Sequence, residues 1–247
     1  EELLFNIALG PVLDIWHNAR YSDECTQGLL FDRCPVPSTA ELDQPFNTQP
    51  EDIILDEENL TVDFAKEDMM IDLGGFAKGY ISMMIEAYLD QYEINYILNL
   101  GASNVLVGGI NTSKATSNLF TIGLTKPEYE SIGSSYYGAV SISDGYSVVS
   151  SGSYQRYFKS LDTEDPNYYH HIIDPRTNQP GGEAVAVTII TKDTGISDIL
   201  STGIFLMTYE NGLDYVNSNA DLEAIWYFSE DDIRMSENFE DYFQYLE

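Results

Sequence analysis

At 247 residues, with 43% hydrophobic and 13% aromatic content, the chain can bury a large core as one or two domains, which excludes wholesale disorder. Its charge is unusual: 41 Asp and Glu against 11 Lys and Arg leave a formal −30, which repels nucleic acid and anionic membrane surfaces and argues against both as partners. No stretch approaches the ~20 apolar residues of a membrane-spanning helix, and an anionic ligand would need a metal, a lysine or a helix N-terminus to neutralise it locally.

Gly10-Pro11, followed by Val12, Leu13, Ile15 and Trp16, predicts a short amphipathic helix over 11–18 with proline at its start. Residues 21–49 read as loop, with a helix beginning after Ser38 as N-cap. Cys25 and Cys34 lie in that loop and are the only cysteines. No histidine cluster accompanies them, which argues against zinc, and a local disulfide stays open for an exported chain. Ile53-Ile54-Leu55 and Leu60-Thr61-Val62-Asp63-Phe64 flank a turn-prone 56–59 and predict a hairpin.

Met70-Ile71-Asp72-Leu73-Gly74-Gly75-Phe76-Ala77-Lys78-Gly79-Tyr80 reads as an apolar strand, a glycine turn and a helix running to about 92. Such a unit aims backbone N–H groups and a helix dipole at an anion, and Lys78 adds a charge suited to phosphate. It is neither a Walker A loop nor G-x-G-x-x-G, and tight packing of a helix on a strand accounts for the glycines equally well. Residues 95–101, 104–107, 119–124, 139–142 and 146–149 predict strands. Ser150-Ser151-Gly152-Ser153-Tyr154 is no G-x-S-x-G elbow, which disfavours a serine hydrolase, yet it can offer hydroxyls and N–H groups to a ligand.

Residues 154–158 and 168–173 are β-prone, 185–191 reads as a buried strand, 196–209 as one helix, 222–228 as a strand and 237–247 as a short helical tail. Strands outnumber helices without regular alternation, so one compact α+β unit is expected rather than a doubly wound sheet. Within Tyr168-Tyr169-His170-His171-Ile172-Ile173-Asp174-Pro175-Arg176-Thr177, two adjacent histidines on one strand would face opposite ways, one of them into a site. Strand-end histidines without a chemical role fit the same pattern. Asp174-Pro175 forces a turn, and Arg176 can hold a carboxylate or a phosphate. Asp198 and Thr202 stand i, i+4 on the predicted helix as a hard-oxygen pair of the kind magnesium accepts. An Asp complementing the dipole and a Thr bonding back to the turn above explain them as well.

Taken in order, Asp-Leu-Gly-Gly-Phe-Ala-Lys-Gly-Tyr (72–80), Asn-Leu-Gly (99–101), Ser-Gly-Ser-Tyr-Gln-Arg-Tyr-Phe (151–158), His-Ile-Ile-Asp-Pro-Arg-Thr (171–177) and Asp-x-x-x-Thr (198–202) resemble the ApbE family of FAD:protein FMN transferases. Phe5-Asn6-Ile7, Gly10-Pro11 and Trp16 look like that family's early helix, so the resemblance covers about 5–228. It implies an α+β, T-fold-like architecture in an extracytoplasmic protein, membrane-anchored through a lipidated N-terminus that this chain lacks. It also implies transfer of FMN from FAD, with Mg²⁺, through a phosphoester to a Thr or Ser of an acceptor flavoprotein, releasing AMP.

Carried over residue by residue, the resemblance makes the Ala77 carbonyl, Asp198 and Thr202 metal ligands and His171 the catalytic base. It puts Lys78, Gly79, Asn99, Gly101, Ser151 and Gly152 around the flavin nucleotide. The chain departs from the family pattern in lacking an N-terminal strand and helix, in Leu100-Gly101-Ala102-Ser103 where Gly-Gly-Asp follows the Asn, and in Asn178 where Gly follows the Thr. A non-catalytic FAD carrier and a Mg²⁺-dependent FAD pyrophosphatase are the alternative functions.

Overall fold

A computed structural model of the chain describes residues 3–101, 103–113, 117–131 and 135–246, so Ala102 of the departure noted above and the tail's Glu247 lie outside them. The described residues fold as α+β. The first part of the chain forms α1 (Gly10–Arg20), β1 (Arg33–Cys34), α2 (Thr39–Leu42), the hairpin β2 (Ile53–Asp56) and β3 (Thr61–Phe64), and α3 (Ala77–Leu89). Six strands follow: β4 (Tyr96–Asn99), β5 (Asn104–Gly108), β6 (Phe120–Thr125), β7 (Tyr136–Ile142), β8 (Ser147–Gly152) and β9 (Tyr157–Ser160). Next come β10 (Tyr168–His170), β11 (Ile173–Asp174), β12 (Gln179–Pro180) and β13 (Ala186–Thr191). The chain closes with α4 (Ser197–Leu206), α5 (Tyr209–Asn217), β14 (Leu222–Ser229), β15 (Asp232–Met235) and β16 (Phe243–Tyr245).

Four expectations are corrected. No strand leads into α3: residues 70–73 stand outside the ladders, and Asp72 N–H bonds the loop carbonyl of Ile7. The helix expected over 196–209 is two helices, because the backbone turns extended at Met207 and Thr208 and the Thr208 hydroxyl caps α5 by accepting from Asn211 N–H. The strand expected over 168–173 stops at His170. The tail forms a single 3-10 turn, Phe239–Asp241, and then a strand paired with β7, where Phe243 joins the core.

Contact density divides the chain into two compact units, one of Leu3, 74–155 and 182–247, the other of 4–73 and 156–181. In the first, an antiparallel six-stranded sheet runs β15-β14-β13-β8-β5-β4, and a second sheet runs β16-β7-β6. Val107, Val148, Ile190 and Ile225 of the larger sheet meet Phe120, Leu124, Val140 and Ile142 of the smaller in one apolar core. Each such side chain removed from water contributes about 1.5–3 kcal/mol. Helix α4 packs on β8 and β13, α5 on β14 and α3 on β5. With cover on both faces, β5 and β13 are buried along their length, which is why 185–191 carries a continuous apolar run.

In the second unit, β9 pairs in parallel with β1 and antiparallel with β10. Leu9, Val12 and Trp16 of the α1 region pack with Cys34, Leu42, Phe158 and Ile173. Trp16 stacks on Tyr169 at 5.9 Å, and its Nε1 donates to the Asn178 carbonyl at 2.9 Å. Ser38 and Glu41 form a reciprocal capping box on α2. Cys25 and Cys34 are joined as a disulfide that ties the loop after α1 to β1.

Candidate functional site

The start of α3 lacks a cap of its own. Phe76 stands at the N-cap without a side-chain oxygen, so first-turn N–H groups need partners from elsewhere. Gly79 N–H finds one in Asp198, donating to Oδ2 at 2.6 Å. Asp198 is the second residue of α4 and 4% exposed, so one buried carboxylate serves the positive ends of two helices. Glycine permits that approach: a Cβ at 79 would lie 2.9 Å from the Thr194 carbonyl and 3.1 Å from Ser197 Oγ. Lys78, the next residue back, holds its Nζ 3.4 Å from Asp198 Oδ1 while its side chain stays 39% exposed.

Asn104 completes the surroundings of this carboxylate, and the sequence reading missed it. It heads β5 fully buried, with Nδ2 donating to Asp198 Oδ1 at 3.4 Å and to Ser197 Oγ at 3.3 Å. Its Oδ1 accepts from Ser82 Oγ at 3.4 Å. The available signal was a lone amide opening an otherwise apolar Val-Leu-Val strand, because a buried amide must find partners. Asn99 ends β4 opposite Val105 and Gly101 lies in the turn of the same β4–β5 hairpin, closed by Leu100 N–H to the Asn104 carbonyl at 2.9 Å. Both are exposed, and Gly101 takes a φ of 71°, the left-handed region that favours glycine.

One turn along α4, Thr202 Oγ1 lies 3.1 Å from Ser151 Oγ, and Ser151 lies 2.8 Å from Ser201 Oγ. Gly152 follows Ser151 at the end of β8, in a position a Cβ would share with the Tyr154 ring at 2.8 Å. The fold thus groups Lys78, Gly79 and Asp198 at the start of two helices, and Thr202, one turn further along α4, with Ser151 on β8. Ala77 is the first residue of α3. Among the described residues no three His, Cys, Asp or Glu side chains gather as a metal centre. The oxygens available for a cation are one carboxylate, one hydroxyl and one backbone carbonyl. All are hard donors, and among the described residues the buried carboxylate has the half-exposed Lys78 as its ion-pair partner, a donor set that suits a magnesium-like ion keeping several waters or phosphate oxygens.

The histidine pair belongs to the second unit. His170 ends β10, largely buried, and its Nδ1 accepts Ile172 N–H at 3.3 Å. Burial, helped by the neighbouring His171, pushes its pKa down to about 3, so it stays neutral. His171 is exposed in the bend that follows, its N–H bonded to the Arg156 carbonyl at 3.2 Å. The two rings therefore meet different surroundings, though not through strand alternation. The strand ends because Ile172 turns its carbonyl to Gly181 N–H and β11 pairs with β12 in a separate hairpin.

Arg176 grips the Asp174 carboxylate through Nε at 3.0 Å and Nη2 at 2.6 Å, so of its two expected partners the carboxylate is the one observed. Burial would raise the Asp174 pKa, but the Arg176 hydrogen bonds and charge outweigh it and hold the carboxyl below the usual range. Asn178 has a φ of 58°, so the position that departs from the expected glycine is one that Asn tolerates.

A profile of the ApbE family matches residues 1–226. The FAD:protein FMN transferase of Klebsiella pneumoniae (strain 342) is 33% identical over 235 residues, which are 94% of this chain and 66% of that protein. The FAD:protein FMN transferase of Treponema pallidum (strain Nichols) is 27% identical over 244 residues, 94% of this chain and 62% of that one. The crystal structure of the ApbE protein from Thermotoga maritima is similar with a TM-score of 0.78 at 27% identity, covering 97% of this chain and 72% of the other. The chain spans no more than about two thirds of the length of these two curated relatives. With a family match over most of its residues, the chain belongs to the ApbE family.

Proposed function

We propose that the chain transfers FMN from FAD to a Thr or Ser hydroxyl of an acceptor protein and releases AMP, using Mg²⁺ held by the Ala77 carbonyl, Asp198 and Thr202. The observation that carries this reading is the buried Asp198 carboxylate, held by Gly79 N–H at 2.6 Å and Lys78 at 3.4 Å where two helices begin. In a chain of net charge −30 such a point is where a pyrophosphate can be received. When bound, Mg²⁺ supplies Lewis-acid stabilisation of the phosphoryl oxygens.

The chain's own groups do the rest. Lys78 is exposed enough to turn from Asp198 to a phosphate oxygen. The exposed end of β4 at Asn99 and the open turn at Gly101, with the Ser151 hydroxyl beside Gly152, offer polar atoms and, at Gly101, close backbone approach to the nucleotide. In the transfer step the acceptor oxygen bonds to the FMN phosphorus and the bond from that phosphorus to the bridging oxygen breaks. The electron pair leaves with AMP, and the hydroxyl proton passes to a ring nitrogen of His171. A positioned base of this kind is worth ~10²–10⁴-fold. His170 is too weakly basic for the role, with its pKa pushed down to about 3. The Cys25–Cys34 disulfide supports an extracytoplasmic, oxidising location.

Calorimetric titration of FAD, with Mg²⁺ or with EDTA, tests the assignment in the wild type and in Asp198→Ala. Wild-type affinity should depend on the metal and the variant's should not. Equal affinity in all four titrations would overturn it.

A further inference from the structure

The hydroxyls beside Thr202 form a chain whose direction follows from counting hydrogens. Ser201 Oγ donates to the carbonyl of Asp198 at 3.1 Å. A serine has one hydroxyl hydrogen, so at its 2.8 Å contact with Ser151 it can only accept. That contact engages the hydrogen of Ser151. The remaining contact, 3.1 Å between Ser151 Oγ and Thr202 Oγ1, must therefore run from Thr202 as donor to Ser151 as acceptor.

The direction matters for metal binding. A hydroxyl that ligates a cation must present a lone pair to it and send its hydrogen elsewhere. A helical threonine ordinarily bonds back to the i−4 carbonyl, which for Thr202 is that of Asp198. Ser201 already donates to that carbonyl and is only 1% exposed, so water does not displace it. Thr202 is thus turned from its own helix toward β8, with its lone pairs unengaged by Ser151.

We propose that Ser201 and Ser151 are positioning residues that fix Thr202 as an acceptor toward a divalent cation, an inference that rests on the metal reading above. The chain runs Thr202 to Ser151 to Ser201 to the Asp198 carbonyl, so the Thr202 hydroxyl is tied through two serines to the backbone of the residue that carries the other side-chain ligand. In this role the two serines act through Thr202, and their effect appears in metal affinity.

The test uses Mn²⁺ alone as a spectroscopic substitute with the same preference for oxygen ligands, titrated by electron paramagnetic resonance without FAD. Thr202→Ala should weaken Mn²⁺ binding. Ser201→Ala and Ser151→Ala should each weaken it by roughly 10–100-fold, the range seen when an outer partner of a ligand is removed. Ser151→Thr, which keeps the hydroxyl, should bind as the wild type does. Adding Ser201→Ala to Thr202→Ala should cause no further loss, because the relay acts only through Thr202.

A full Ser201→Ala loss in the Thr202→Ala background would mean general disturbance of α4 and overturn the proposal, as would wild-type affinity in both serine variants. If Thr202→Ala itself binds Mn²⁺ normally, the metal reading fails and the relay falls with it. Urea unfolding without metal identifies any variant that does not fold, and the other serine then carries the comparison.

Discussion

Replacing His170 with Gln should remove an acid-sensitive part of the protein's stability. In the folded chain burial, with a smaller contribution from His171, pushes the His170 pKa down to about 3, whereas an unfolded histidine titrates near ~6.5. Between those values the unfolded state binds a proton that the native state refuses. The associated stability is therefore fully present above pH ~6.5 and is lost as the pH falls toward 3, at about 1.4 kcal/mol per pH unit. At pH 5 the loss is about 2 kcal/mol. The many carboxylates also titrate on acidification, but they do so in both proteins, so the informative quantity is the difference between wild type and variant. Urea unfolding followed by circular dichroism at pH 7.5 and pH 5.0 measures it. The wild type should lose about 2 kcal/mol more than His170→Gln over that interval. Equal losses would mean that His170 is solvated in the folded chain, and its exclusion as a base would fall with that result.

Three further substitutions separate the roles assigned above. His171→Ala should retain FAD binding but slow transfer by ~10²-fold or more, read by single-turnover flavinylation with gel fluorescence; unchanged transfer would remove His171 as the base. Lys78→Gln should weaken FAD more than riboflavin in fluorescence titrations, since the lysine acts on phosphate charge, and equal losses would make Lys78 a support of the fold. Gly79→Ala places a methyl group 2.9 Å from the Thr194 carbonyl, so overpacking of ~1–3 kcal/mol should exceed the helix-propensity gain of about 1 kcal/mol. Thermal unfolding should show a lowered midpoint, and a raised one would mean the α3 approach relaxes freely.

Local chemistry made part of the fold legible. Pro11 marked α1, Ser38 marked the capping box of α2, and the turn at 56–59 marked the β2–β3 hairpin, each through residues a few positions apart. Where distant partners decide, the pattern misled. An apolar run at 70–73 looked like a strand, but a strand needs a ladder, and the Asp72 N–H bonds a loop carbonyl at Ile7 instead. The break after His170 depends on Gly181 and on a hairpin completed at Pro180.

The site divides in the same way. Asp198 and Thr202 could be paired by helical spacing, yet the Gly79 hydrogen bond that orients Asp198 joins residues 119 positions apart. Asn104, at 94 positions from Asp198, read only as the first residue of a strand, and its partnership with the carboxylate depends on the fold.

The central claim is tested most directly by mass spectrometry of a Thr- or Ser-containing acceptor protein after incubation with this chain, FAD and Mg²⁺. The account predicts that the acceptor gains one FMN phosphoester, that AMP appears in equal amount, and that both vanish with EDTA. AMP accompanied by free FMN and an unmodified acceptor would make the chain a pyrophosphatase, and FAD recovered intact on the protein would make it a carrier; either result contradicts flavin transfer.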